Sequence, residues 1–253
     1  VNRVATTTAG RELSFDKAVV AIGAHAEPVI ERALTFTGGP RVEAMAGLLD
    51  EVAAGQVRRI AFVSPGGAVW PLPLYELALL TAKWVEERAI ENVEIELITP
   101  EQAPLRLFGS AASQEVAGLL RRHNIRLRTI TRVAHYDGEQ LDLVPGRKVA
   151  ADRVVAIPRL HGRLVDGLES DDNGFLRTDG HGLVSGTLDV YAAGDITNFP
   201  VKQGGIAAQQ AGHVLQHRDE HRPLQWRLSA VRSTMFLSLP IAALGLLMLI
   251  VPG

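Results

Sequence analysis

Between Val57 and Asn124 the chain alternates between two hydrophobic periods, and this alternation restricts the fold more than any other feature. "VRRIAFVSPGG" (Val57 to Gly67) and "VEIELITP" (Val93 to Pro100) are β-branched apolar runs ended by Gly or Pro, the pattern of buried strands. Each precedes a stretch with apolar residues at helical spacing. These are "LPLYELALLTAKWVEERAI" (Leu72 to Ile90) and "SQEVAGLLRRHN" (Ser113 to Asn124), the second with Ser113 placed as an N-cap. A strand followed by a helix and another strand closes into a right-handed crossover, and the strands then pair in parallel. The expected fold is therefore α/β with a parallel sheet.

The flanks extend this pattern. "KAVVAIGA" (Lys17 to Ala24) reads as a buried strand ended by glycine, and "RVEAMAGLLDEVAAGQ" (Arg41 to Gln56) as a helix. "IRLRTITRVAHYDGEQLDLV" (Ile125 to Val144) reads as strands turning at Asp137-Gly138, and "ADRVVAIPRL" (Ala151 to Leu160) as a further strand. A loop-rich stretch leads to the strand "LDVYAAGD" (Leu188 to Asp195), and a helix follows from Gly205 to about His217. With 253 residues, 47% of them apolar, the chain has room for one large or two ordinary domains around packed cores.

Charge and composition exclude several classes of function. A formal net charge of −2, without a Lys/Arg block before the C-terminal region, disfavours nucleic acid as a partner. The chain has no cysteine, and so no disulfide, thiolate nucleophile or Cys-ligated metal. "HRDEH" (His217 to His221) matches the His-x-x-Glu-His zinc-protease pattern, but no Asp or Glu follows Glu220 to complete a ligand set. No metal is expected. Asp171-Asp172-Asn173-Gly174 has the wrong spacing for a calcium loop and reads as a turn. Trp70 and Trp84 read as packing residues, and Tyr75 and Glu76 as helix surface.

Both ends carry expectations. "VNRVATTTAGRELSF" lacks the basic and apolar regions of a signal peptide and reads as part of a polar β-hairpin, as if the chain joined a fold partway. "STMFLSLPIAALGLLMLIVPG" (Ser233 to Gly253) carries no charge over 21 residues, about the length of a membrane-crossing helix. Arg218, Arg222, Arg227 and Arg232 precede it and would hold the body of the protein at the cytoplasmic face of a membrane. A buried helix, or a hairpin around Pro240, satisfies the same pattern.

The densest chemistry lies in "VYAAGDITNFPVKQGG" (Val190 to Gly205). In an open parallel sheet, ligands sit beyond the carboxyl ends of the strands, where Gly194 and Asp195 fall. A carboxylate there accepts hydrogen bonds from sugar hydroxyls. Lys202 adds a cation, and the Gly204-Gly205 pair opens a helix whose free N–H groups attract negative charge. A flavin has both a hydroxyl-bearing chain and an edge that becomes anionic on reduction. An ordinary αβ turn with a solvated Asp and Lys meets the same pattern.

"VYAAGDITNFPVKQGGIAAQQAG" closely resembles the second flavin motif of the two-dinucleotide-binding-domain flavoproteins, the superfamily of FAD-dependent pyridine-nucleotide/disulfide oxidoreductases. "ELSFDKAVVAIGAHAEP" (Glu12 to Pro28) resembles that family's other marker, with Ile22 in place of its usual Thr. The Pro-x-Lys step at Lys202 is similar to the sulfide:quinone oxidoreductase branch, near the type II NADH dehydrogenases. The resemblance runs from Val1 to about His217. It implies a Rossmann-like three-layer fold, with a partial FAD-binding domain at 1–37 and an inserted NAD(P)-type domain at 38–158. The FAD domain would return at 159–220, and 221–253 would form an apolar tail. Gly23, Ala24, Gly194, Asp195, Lys202, Gly204, Gly205 and Ile206 are implied to contact FAD, with Ile206 and the two glycines at the pyrimidine edge of the ring.

Two departures limit this. The family's N-terminal Gly-x-Gly-x-x-Gly motif, which cradles the FAD pyrophosphate, is missing, so the chain resembles a fragment that would bind FAD weakly or not at all by itself. In the inserted domain, Trp70, Pro71, Leu72 and Pro73 crowd the turn after the first strand, and Glu101 comes late for a ribose-binding acid. NAD(P) binding is accordingly not expected. The implied function is electron transfer from a small-molecule donor through FAD to an acceptor, a membrane quinone being the natural one, with no catalytic acid or base identifiable. The alternatives are a non-catalytic remnant of such a flavoprotein, or an NAD(P)H-dependent flavin reductase.

Overall fold

The computed structural model describes residues 3–37, 42–67 and 70–217. In chain order, β1 (Val4–Thr6) and β2 (Glu12–Ser14) are followed by β3 (Ala18–Val20), β4 (His25–Glu27), β5 (Leu34–Thr35) and α1 (Val42–Ala53). Next come β6 (Arg59–Val63), α2 (Leu72–Glu87), β7 (Glu94–Ile98), α3 (Ser110–Arg122) and β8 (Arg126–Arg128). The meander β9 (Arg132–Tyr136), β10 (Gln140–Val144) and β11 (Arg147–Ala150) leads to β12 (Arg153–Ala156), β13 (Arg159–His161), β14 (Val190–Ala192) and α4 (Gly204–His217).

These elements form two compact units. One joins the residues up to His25 to those from Leu160 onward, and the other is built from Ala26–Arg159. The chain leaves the first unit before the boundary expected at residue 37 because Leu34–Thr35 belongs to the other unit's sheet, where Leu34 pairs with Val155.

The second unit holds a five-stranded parallel sheet in the order β5-β12-β6-β7-β8. Alternate residues of a strand face opposite sides, and both sides of this sheet are covered. Ala61, Val63, Ile98, Val154 and Ala156 pack with Tyr136, Leu141 and Leu143 of the antiparallel β9–β10–β11 meander. On the opposite face Ile60, Phe62, Ile95 and Leu97 are buried, and α2 packs on β6 and β7 through its apolar stripe, which includes Leu74, Ala78 and Ala82. This is the expected three-layer α/β arrangement.

Local chemistry sets the element ends. Gly55, at φ +73°, stops α1, its N–H donating to Val52 O and the next N–H to Glu51 O. Asp137 Oδ1 accepts the N–H groups of Glu139 (2.8 Å) and Gln140 (2.7 Å), which closes the β9–β10 hairpin at the expected Asp-Gly. Ser113 does not cap α3. The helix starts a turn earlier, at Ser110 behind Gly109, and Ser113 is buried within it.

The first unit is smaller. A polar hairpin joins β1 and β2, and β3 pairs in parallel with β14 in the register Ala18↔Val190 and Val20↔Ala192. The strand expected over Lys17–Ala24 is only Ala18–Val20, because the pairing with β14 ends at Val20. Asp171 Oδ1 takes the N–H groups of Asn173 and Phe175 (both 2.9 Å), so Asp171–Gly174 is an Asx turn. No helix among the described residues is long and apolar enough to cross a membrane. The apolar segment 233–253, the arginines before it and all of "HRDEH" beyond the backbone of His217 lie outside the described residues.

Candidate functional site

Parallel pairing of β3 and β14 brings the two sequence markers to one edge of the first unit. Gly23 and Ala24 follow the carboxyl end of β3, and Gly194 and Asp195 follow that of β14. Gly23 adopts φ +69° with open space where a side chain would stand. Gly194, at φ +78°, starts a 3-10 turn over Gly194–Ile196. A side chain there would be strained by φ and would meet the Ala207 Cβ at 3.2 Å. Three bonds fix the turn. The Gly194 N–H donates to Gln210 Oε1 (2.7 Å), and Gly194 O accepts both the Thr197 N–H (3.0 Å) and the Thr197 hydroxyl (2.9 Å).

Asp195 is half-buried in this turn, and its carboxylate takes no hydrogen bond from a described residue. Burial raises its pKa above the ordinary value, opposed by the charge of Lys202. Lys202 is turned inward, only 7% exposed. Its ammonium donates to Asp195 O (3.2 Å) and Thr197 O and lies 3.8 Å from the centroid of the Phe175 ring. Burial pushes its pKa down to about 8, against the attraction of Asp195 and Asp171. The sequence placed this lysine at a ligand. In the structure its bonds go to the backbone of the Asp195 turn, because the side chain is buried and its N–H groups need acceptors.

The start of α4 also differs in detail from expectation. Gln203 is the capping residue, and its Oε1 accepts the Ile206 N–H (3.2 Å). The Ile206 side chain is core, 1% exposed, and its burial contributes roughly 2 kcal/mol. Ile206 therefore anchors the start of the helix through its side chain, while its N–H is taken by Gln203. Gly204 is exposed, with nothing within 4 Å of where its side chain would be, and Gly205 is half-buried. Neither glycine N–H has a described partner, as expected for the first two positions of a helix. Gln203, Gln210 and Phe175 shape the site and were not anticipated. Gln203 was legible as the residue before a Gly-Gly helix start, whereas Gln210 and Phe175 carry no local signal.

The corresponding strand–glycine–helix turn of the second unit is built differently. After β6, Gly66 and Gly67 have φ +78° and +83°. Added side chains would meet Pro100 Cγ at 3.3 Å and Arg159 Nε at 3.1 Å respectively. The Arg159 Nε–H points to Gly66 O (3.4 Å). Trp70 stands edge-on to Phe108, with centroids 5.7 Å apart, and α2 begins at Leu72-Pro73 without a side-chain cap. Glu101, the acid beyond β7, accepts the Tyr75 hydroxyl (2.7 Å) and the Thr99 hydroxyl (3.1 Å). Tyr75 is 1% exposed, so it is core and not helix surface. Burial and the Glu101 charge raise its phenol well above the ordinary value. Burial alone pushes Glu76 up to about 7.

Comparison with known proteins gives a consistent result. Solved structures share the fold, three of them as follows. The sulfide:quinone oxidoreductase of the hyperthermophilic bacterium Aquifex aeolicus superposes with a TM-score of 0.74 at 18% identity, over 86% of this chain and 58% of that one. The NAD-dependent persulfide reductase of A. fulgidus gives 0.59 at 19%, over 87% of this chain and 43% of that one. Reduced CoADR-RHD of Bacillus anthracis gives 0.57 at 16%, over 88% and 42%. The chain thus spans less than two thirds of the length of each. No curated protein matches the sequence. Residues 2–213 match the family described as pyridine nucleotide-disulphide oxidoreductase. Since that match takes in both glycine turns and the sheets that carry them, the chain belongs to the pyridine nucleotide-disulphide oxidoreductase family.

Proposed function

We propose that this chain supplies the isoalloxazine- and ribityl-binding half of an FAD site in a flavin-dependent oxidoreductase. The observation that carries this reading is the edge shared by Gly23-Ala24 and Gly194-Asp195 at the carboxyl ends of two paired parallel strands. The groups present fit a flavin. The Asp195 carboxylate has free lone pairs for hydroxyls, and the Gly204 and Gly205 N–H groups, at the positive end of α4, suit an anionic oxygen. FAD, when bound, would carry electrons between a donor and an acceptor. The chain's own residues bind and orient it. Lys202 acts through the backbone of the Asp195 turn and adds positive charge beneath it.

The acceptor we propose is a membrane quinone. The uncharged stretch Ser233 to Gly253 supports it, as does likeness to a sulfide:quinone oxidoreductase. The donor is a small molecule other than NAD(P)H. Pro100 and Arg159 occupy the space over Gly66 and Gly67, and Glu101 is already hydrogen-bonded by Tyr75 and Thr99.

The test is a titration of the purified chain with FAD, followed by the visible absorption bands of the flavin. A saturable change in those bands, lost in Asp195→Ala and in Gly204→Val, is expected. A saturable change that both substitutions leave intact would overturn the reading, because the flavin would then be held elsewhere.

A further inference from the structure

The second unit contains a groove that the flavin reading leaves without a role. Its volume is about 780 Å3, and it lies between the parallel sheet and the β10–β11 hairpin, at the amino ends of β6, β7 and β8. Nucleotides in open parallel sheets sit at the carboxyl ends, so this groove is at the opposite end from Gly66, Gly67 and Glu101.

Six cationic side chains line the groove against the carboxylates of Glu94 and Glu96. Three of the six are paired. Arg59 meets Asp152 at 2.5 Å, Lys148 meets Asp142 at 3.2 Å, and Arg128 is held by Glu96. The remaining three, Arg121, Arg126 and Arg147, have no ion-pair partner among the described residues. They come from α3, β8 and β11, so separate elements converge on one cavity. The C-terminal turn of α3 accounts for Arg121 through the helix dipole, but neither Arg126 nor Arg147 has such a local reason.

We infer that this groove binds a small phosphate-bearing anion through Arg121, Arg126 and Arg147. The inference rests on charge complementarity and size. Three unpaired guanidinium groups present planar donor forks that match phosphate oxygens in pairs, and like charges gathered around one cavity repel until an anion lies between them. The volume is that of a small-molecule site, on the order of 300–1,000 Å3. The inference does not depend on the flavin site, which lies in the other unit.

Calorimetric titration of the full chain with inorganic pyrophosphate at low salt tests this. Saturable binding is expected, weakening steeply as salt rises from about 20 to about 200 mM. The double substitution Arg126→Ala/Arg147→Ala is expected to weaken it at least about tenfold. Arg126→Lys/Arg147→Lys, which keeps charge but loses the forks, should fall between the two. Both arginines are exposed, so without pyrophosphate the alanine variant should melt no lower than the parent. Absence of binding at millimolar pyrophosphate would overturn the proposal. So would an affinity that the double alanine variant leaves unchanged, which would put the anion elsewhere, such as at the start of α4.

Discussion

Gly194 and Gly67 each lie between the carboxyl end of a parallel strand and a helix, with φ values of +78° and +83°, yet what surrounds them is opposite in kind. At Gly194 the neighbours are Ala207 and Gln210, both from the helix that follows, and the start of that helix at Gly204 stays open. At Gly67 the neighbour is Arg159, Pro100 covers Gly66, and the helix begins with Leu72-Pro73. A left-handed glycine is therefore a requirement of the turn and not by itself the mark of a ligand. What distinguishes the two turns is whether the helix N-terminus beyond the glycine remains accessible.

The comparison breaks most sharply at Gly194. Gly194→Val places a branched side chain at a positive φ and drives it into Ala207 on α4, a helix that Gln210 and Ile206 hold in place. A loss of about 3 kcal/mol is expected, readable as a lower midpoint in urea unfolding. Gly67→Val carries the same backbone strain but meets the Arg159 side chain, which can swing away, so about half that loss is expected. Equal losses at the two sites would mean that α4 yields as readily as an arginine side chain, and the contrast would fail.

Lys202→Met gives the next largest effect. It removes donors from two carbonyl oxygens beneath the Asp195 turn, and about 2 kcal/mol should be lost at about pH 10 and above, where the buried lysine is neutral, with a smaller loss near neutral pH. The pH dependence separates this from simple repacking. The folded pKa of about 8 lies below the ordinary 10.5, so the unfolded chain binds more protons between those values. The lysine's contribution is thus full above the unfolded value and lost as pH falls through the folded one. The parent should gain stability from about pH 8 toward 10.5, and the variant should lack that rise. A variant with the same slope as the parent would show that Lys202 is not the titrating group.

The sequence made the fold legible where periods were long and glycine stops were clear. The helices α1 and α2, strands β6 and β7 and the Asp137-Gly138 turn all follow from pattern and turn chemistry within a few residues of their neighbours. Of the candidate site, Gly23, Gly194 and Asp195 follow strand ends and Gly204-Gly205 opens a helix, as the pattern implied. The directions of Lys202 and Ile206 were not legible, because both depend on partners the local pattern does not reveal. Phe175 and the two carbonyls draw Lys202 inward, and the core draws Ile206. Tyr75 was misread as surface for the same reason, since its acceptor Glu101 lies beyond the next strand.

Glu76 offers the smallest effect and the finest test of the second turn. It lies beside Tyr75 in the second turn of α2, without the hydroxyl partners that Glu101 has, and burial holds its pKa at about 7 against an ordinary 4.5. A folded value above the unfolded one means that the folded chain keeps the proton longer. The contribution to stability is complete below about pH 4.5 and is lost as pH rises through 7. Glu76→Gln removes the charge at every pH, so the variant should match the parent at pH 4.5 and exceed it by about 1 kcal/mol at pH 8, the full linkage effect being reduced by the solvent that screens a half-buried carboxylate. A gain confined to the alkaline side would show that the α2 start is a poorly hydrated place that resists negative charge, as a covered nucleotide turn should be. A variant no more stable than the parent at pH 8 would mean that water reaches Glu76, and the case for a closed second turn would then rest on Pro100 and Arg159 alone.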